Sequence, residues 1–214
     1  MKVIVTGASG MVGEGVMLTC LSHPDIEQVL VVGRRPCGHT HPKLKEIIHK
    51  DFYDLSPIKD QLQGFDACYF CLGTSSVGMN EADFTKITYT LTLHFANTVV
   101  NPNMTFTYIS GAGTNANGAQ MWQRVKGKTE NDLAKLPFKR FFAFRPGGMT
   151  IVPGQKNELS AYKYFAWMFP IVKFFSKNSV SKLREVGLAM IRVTQNGYSK
   201  NVLEVSDINA VGKE

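Results

Sequence analysis

No stretch of this 214-residue sequence is apolar for the roughly 20 residues that a membrane-spanning helix needs. The richest one, residues 161–175, is shorter, is interrupted by Lys163 and Lys173, and contains Pro170. It is read as core packing, a cover over an apolar substrate, a dimer face or a peripheral lipid contact, not as a span. Cysteine is scarce as well. Cys20, Cys37, Cys68 and Cys71 do not make the disulfide framework of a small secreted domain. Cys68 and Cys71 have a redox or zinc spacing, but they sit in an apolar run that reads as a strand, where residues three apart face opposite sides. Buried, reduced thiols are expected. His39 and His41 fall in a loop without an acidic or thiol partner at ligand spacing, so no metal is expected. Repeats and low-complexity segments are missing. So are helix-turn-helix and zinc-finger patterns. The formal net charge of +7 is dispersed along the chain, which argues against nucleic acid as a partner. The chain runs from Met1-Lys2 straight into an apolar segment, leaving no room for a signal or transit sequence, and a cytoplasmic location is the expectation.

What is present belongs to a globular protein. Hydrophobic residues make up 44% and charged residues 19%, enough to bury a core in one domain of this length. The most informative stretch is the first. A β-branched run, Val3-Ile4-Val5-Thr6, leads into glycines spaced Gly7-x-x-Gly10-x-x-Gly13, and Val12, Val16, Met17 and Leu21 then recur at helical spacing. Strand, tight turn and helix in this order bring backbone N–H groups, at the positive end of a helix, against a pyrophosphate. Gly7 allows the turn, Gly10 clears the phosphates and Gly13 lets the helix pack closely. A dinucleotide is the expected ligand.

Further strands follow at Gln28–Gly33, Ile47–Phe52, Phe65–Leu72, Met104–Ser110 and Phe141–Phe144. Helices are expected across Pro57–Gln63, from Asn80 to Asn101 and from about Ala119 to Leu136. Arg34 and Arg35 end the second strand, where an acidic residue would hold a ribose 2′-hydroxyl and an arginine accommodates a 2′-phosphate. The cofactor is therefore read as NADP, with NAD as the other option. Asp51 and Phe52 fall where adenine is met in such folds, or are a strand-end acid and a core aromatic. Leu72, Gly73 and Thr74 open a small-residue loop beyond the fourth strand, a place for the cofactor to run. The fold class is α/β, a doubly wound parallel sheet with helices on both faces and a small C-terminal helical lobe, with a boundary near residue 150. In the last third, residues 151–214, a helix stripe of Leu183, Val186, Met190 and Val193 precedes a last strand at Val202–Val205.

Thr6-Gly7-Ala8-Ser9-Gly10-Met11-Val12-Gly13, Ser110, Lys126 and Arg145-Pro146-Gly147 together resemble the extended and atypical short-chain dehydrogenase/reductases, a Rossmann-fold superfamily that includes nucleotide-sugar epimerases and NmrA-like proteins. Tyr108-Ile109-Ser110-Gly111-Ala112-Gly113 and Val125-Lys126-Gly127-Lys128-Thr129-Glu130 are similar to its Tat-interacting-protein branch. The resemblance implies that the glycine-loop residues, including Ser9, Met11 and Val12, and Arg145, Pro146 and Gly147 bind cofactor. It also implies that Ser110 polarises a substrate carbonyl and that Lys126 holds the nicotinamide ribose. The family's tyrosine falls at Trp122, and an indole cannot serve as a general acid near neutral pH. Two readings stay open. One is an oxidoreductase or epimerase on a small carbonyl or hydroxyl substrate, its proton coming from Tyr162, Tyr164, Tyr89 or a water relayed by Ser110. The other is a non-catalytic NADP(H)-binding regulatory protein, as a monomer or homodimer.

Overall fold

A computed structural model describes residues 1–157 and 180–213. The aromatic stretch 161–175, with Tyr162 and Tyr164, lies outside the described residues. Strands β1 (Lys2–Thr6), β2 (Gln28–Gly33), β3 (Leu44–Ile48), β4 (Ala67–Phe70), β5 (Thr105–Ile109), β6 (Arg140–Arg145) and β9 (Val202–Glu204) form one seven-stranded sheet in the order β3-β2-β1-β4-β5-β6-β9. All of its pairings are parallel. The order reverses between β1 and β4, so a crevice opens beyond their carboxyl ends. Two short strands, β7 (Gly148–Thr150) and β8 (Val180–Lys182), pair separately.

Parallel strands buried on both faces explain why the strand sequences read as unbroken apolar runs. Alternate residues serve opposite cores: Val3, Val5 and Tyr69 join one, Ile4, Cys68 and Phe70 the other. The first core is closed by α1 (Met11–Ser22) and α5 (Leu183–Asn196), through Val16, Met17, Val186, Met190 and Val193. The second is closed by the helical segment from Glu81 to Val99 and by α4 (Met121–Leu133), with Phe95 tilted against Phe70 at 5.4 Å and Phe70 stacked on Phe106 at 5.9 Å. Helix α6 (Val205–Gly212) sends Ile208 into the first core. The C-terminal helices thus wall the same sheet that the N-terminal strand begins.

Some expected boundaries move. The third strand ends at Ile48, which leaves Asp51 and Phe52 in the loop after it. The segment expected as one helix from Asn80 is α2 (Glu81–Thr85), a π-helical turn (Lys86–Thr90) and α3 (Leu91–Val99). The helix expected from Ala119 begins at Met121 because Ala119 and Gln120 supply carbonyls to its open end, to Arg124 Nη1 and to the Gln123 and Arg124 amides. Cys68 and Cys71 pack against opposite cores.

Candidate active site

The glycine loop is built by contacts no other residue would allow. Gly7 has φ +71°, and a Cβ there would stand 2.7 Å from the Cys71 carbonyl oxygen. A Cβ at Gly13 would stand 2.3 Å from the Gly7 carbonyl oxygen, so the first turn of α1 sits directly on the loop. At Gly10 the nearest atom to such a Cβ is 3.4 Å away, and the space beyond belongs to the crevice. The cradle fits a pyrophosphate that needs bare backbone at the N-terminus of α1.

Around this loop lies a cleft of about 450 Å³. Gly7, Ser9, Gly10, Met11, Val12, Gly13, Arg34, Arg35, Leu72, Gly73, Thr74, Ser110, Lys126 and Pro146 all line it. Asp51 and Phe52 do not; they line an adjoining cavity of about 280 Å³ together with Arg34, Leu72, Gly73 and Thr74. There Phe52 is buried against Phe95, and Asp51 accepts the Tyr53 N–H at 2.9 Å. Phe52 is thus a core aromatic that also walls the side cavity, while Asp51 lies in the loop and not at a strand end.

Other expected cofactor residues do not reach the cleft. Thr6 is buried, and its Oγ1 accepts the backbone N–H groups of Cys71 and Leu72 at 3.2 Å each. It ties the loop after β4 to the loop after β1. The Arg145 guanidinium is held by Glu130, at 3.0 and 2.5 Å, and by Glu204 at 2.8 Å. Arg145 and Gly147 are not among the described residues that line the cleft. Arg145 fastens β6 to α4 and β9, because its strand position points it at two carboxylates that neighbour it only in the fold.

At the inner end, Ser110 is buried and its Oγ lies 3.0 Å from Thr114 Oγ1. Thr114 donates its own proton to the Gly111 carbonyl at 2.8 Å, so the Ser110 hydroxyl is the donor of the pair. Lys126 Nζ donates to the Ser110 carbonyl at 3.2 Å and stands 5.6 Å from the centre of the Tyr108 ring. Burial pushes the Lys126 pKa down to about 8, with the Glu130 charge opposing. Trp122 is half-buried with its indole N–H bound to the Gln120 side chain and its edge beside Gly113. It does not line the cleft among the described residues. Tyr89 is no proton source there, since its hydroxyl donates to Asp132 at 2.8 Å on the outer side of α4.

Two participants escaped the sequence reading. Lys50 joins Ser9, Arg34 and Arg35 around an open basic basin of about 530 Å³ at the edge of the cleft. Glu14, in the first turn of α1, is fully buried and accepts the backbone N–H groups of Lys156 at 2.8 Å and Asn157 at 2.6 Å, with His39 Nε2 at 2.6 Å from the same carboxylate. Its signal was an acid inside an otherwise apolar helix.

A model of the NAD dependent epimerase/dehydratase family matches residues 3–139, the stretch from β1 through α4. The chain belongs to this family. The family is NAD dependent, so a nicotinamide is the cofactor class of this chain. Among curated proteins it is similar to Protein FMP52-1, mitochondrial, of Scheffersomyces stipitis, 29% identical over 150 residues, or 69% of this chain and 66% of that protein. Protein FMP52, mitochondrial, of Meyerozyma guilliermondii is 26% identical over 183 residues, 84% of this chain and 76% of the relative. These names overturn the expectation of a cytoplasmic location, which rested on the sequence running from Met1-Lys2 straight into an apolar segment. Among solved structures, a short chain dehydrogenase family protein from Francisella tularensis shares the fold at TM-score 0.65 and 14% identity, covering 95% of both chains. UDP-glucuronic acid 4-epimerase from Bacillus cereus, in complex with NAD, does so at TM-score 0.66 and 14% identity, over 94% of this chain and 77% of the other.

Proposed function

We propose that the chain is an NADP(H)-binding oxidoreductase or epimerase-like enzyme for a small carbonyl or hydroxyl substrate, with Trp122 standing where relatives of this kind carry a tyrosine. The observation that carries the reading is the continuity of the cleft, which runs from the basic basin of Arg34, Arg35 and Lys50, past the glycine loop, to Ser110 and Lys126. A ribose 2′-phosphate suits three cations better than a ribose hydroxyl does, because each adds a charge-assisted contact to phosphate. Arg35 Nη2 already reaches toward the Ser9 carbonyl at 3.4 Å, which holds it across the basin. The compartment we propose follows the fungal relatives, which carry mitochondrial names.

NADPH is expected to bind at least about tenfold tighter than NADH in a fluorescence titration, a difference of about 1.4 kcal/mol. Arg34→Glu should abolish that preference, and equal affinities in the unaltered protein would sink the assignment. A second reading, a regulatory protein that holds NADP(H) without turnover, is favoured by one observation: no tyrosine lines the cleft among the described residues. Steady-state oxidation of NADPH with a panel of aldehydes and ketones separates the two.

A further inference from the structure

The cleft ends in a lysine whose surroundings suit proton exchange better than charge pairing. Among the described residues, the Ser110 carbonyl is the one hydrogen-bond acceptor of Lys126, at 3.2 Å. Glu130, one turn further along α4, is the nearest carboxylate acting on it, but both Glu130 oxygens are taken by Arg145 from β6. From β5 it meets the face of Tyr108, whose phenol is buried and pushed well above its ordinary range by that burial and by Glu130. From β4 the cleft presents Cys71, a thiol that burial likewise keeps protonated.

We propose that Lys126 itself exchanges the proton with the substrate oxygen, in place of the tyrosine whose position Trp122 occupies. Ser110 is poorly placed for that role because its hydroxyl proton is committed to Thr114. A lysine held near pKa 8 is protonated at neutral pH yet gives up its proton readily, which is the condition an acid–base group must meet. The step rests on the reading above and names a reduced nicotinamide as reductant. As the carbonyl carbon gains hydride, the C=O π pair moves onto oxygen. The Lys126 N–H bond breaks with its electron pair left on nitrogen, and an O–H bond forms. The neutral amine then regains a proton from water. The sign of the pH dependence follows: reduction requires the ammonium and falls as pH rises through about 8, while oxidation requires the free amine and rises over the same interval.

Two measurements test this. In the first, competitive acylation of the intact protein is read by mass spectrometry on the peptide containing Lys126, with and without NADPH. A reactivity midpoint near pH 8 is expected, together with protection by the cofactor; a midpoint above about 10, the ordinary lysine range, overturns the proposal whether or not turnover is seen. In the second, Lys126→Arg keeps a cation that can hold ribose hydroxyls but cannot release a proton. NADPH affinity should stay within about fivefold, which also reports an intact fold, while reduction of benzaldehyde or phenanthrenequinone falls at least about 100-fold. An arginine variant that reduces either carbonyl at the unaltered rate makes Lys126 a mere cofactor contact. An unaltered protein that binds NADPH and reduces neither carbonyl defeats the catalytic reading and this proposal with it.

Discussion

Gly13→Ala is expected to lower NADPH affinity at least about 100-fold, roughly 2.7 kcal/mol, and to destabilise the fold by about 1–3 kcal/mol. The added methyl would stand 2.3 Å from the Gly7 carbonyl oxygen and 2.8 Å from the Ala8 nitrogen, and both are backbone atoms with no rotamer to yield. Relief requires lifting α1 away from the loop that its N-terminus is supposed to complete. The amides that face the pyrophosphate move with it. Gly10→Ala is the informative partner. Its methyl would meet the Gly7 carbonyl oxygen at 3.4 Å, an ordinary contact, so stability should change little while the methyl occupies the phosphate's approach. Urea unfolding and cofactor titration of the two variants therefore separate a folding defect from a binding defect. A Gly13→Ala protein that bound NADPH like its parent would remove the glycine cradle from the account.

The second large effect is expected at Glu14. Its carboxylate is fully buried and satisfied by three donors, so Glu14→Ala leaves the Lys156 and Asn157 N–H groups and His39 without their acceptor. Leaving buried donors unsatisfied in this way costs about 1–3 kcal/mol each. The carboxylate also predicts a pH dependence. Burial raises its pKa, but the hydrogen bonds from Lys156, His39 and Asn157 outweigh burial and leave it below the ordinary value of 4.5. A carboxylate whose folded pKa is depressed contributes stability that is complete above the unfolded value and is lost as pH falls through the folded one. Glu14→Gln should accordingly be less stable than the parent at pH 7, with the gap closing below about pH 4.5. Urea midpoints across that window measure it, and parallel curves for parent and variant would refute it. Because Glu14 joins α1 to the chain that follows β7, its loss should also disturb the wall of the cleft at Met149.

Much of this architecture was legible in the residues because its determinants are local. The run Val3–Thr6, the spacing of Gly7, Gly10 and Gly13 and the helical recurrence after them each encode their own backbone geometry. The strand-ending loops at Leu72–Thr74 and after Ser110 were readable for the same reason, since small residues after an apolar run mark a carboxyl edge. The boundary of β3 was not. Ile47–Phe52 looks apolar enough to be a strand, yet β2 ends at Gly33, and the pairing closes there with the His49 N–H donating to the Gly33 carbonyl at 2.9 Å. The π-helical turn at Lys86–Thr90 has no sequence signature in the period of its apolar residues: of Phe84, Ile87, Leu91, Phe95 and Val99, which recur at helical spacing, all are buried except Ile87, which lies half-buried on the turn itself.

Site residues divide along the same line. Motif positions could be placed in a tight glycine loop at the N-terminus of α1 from order and spacing alone, because backbone conformation and close approach fix it. Side chains that act by reach could not. Arg145 carries a cation in a family motif, but its nearest carboxylates come from Glu130 and Glu204, distant in the chain, and the ion pairs decide its role. Thr6 was read as a ligand contact and is a strut between loops, a distinction that depends on Cys71 and Leu72 lying one strand away. The sequence by itself determined a parallel α/β sheet with a nucleotide loop at its first turn, since propensity, glycine placement and periodicity are properties of neighbouring residues. The tertiary structure alone decided that Lys126 is desolvated beside Ser110, that Glu14 is an internal tie and that Lys50 completes a basic basin. Burial and charge partnership are set by residues that meet only when the sheet closes.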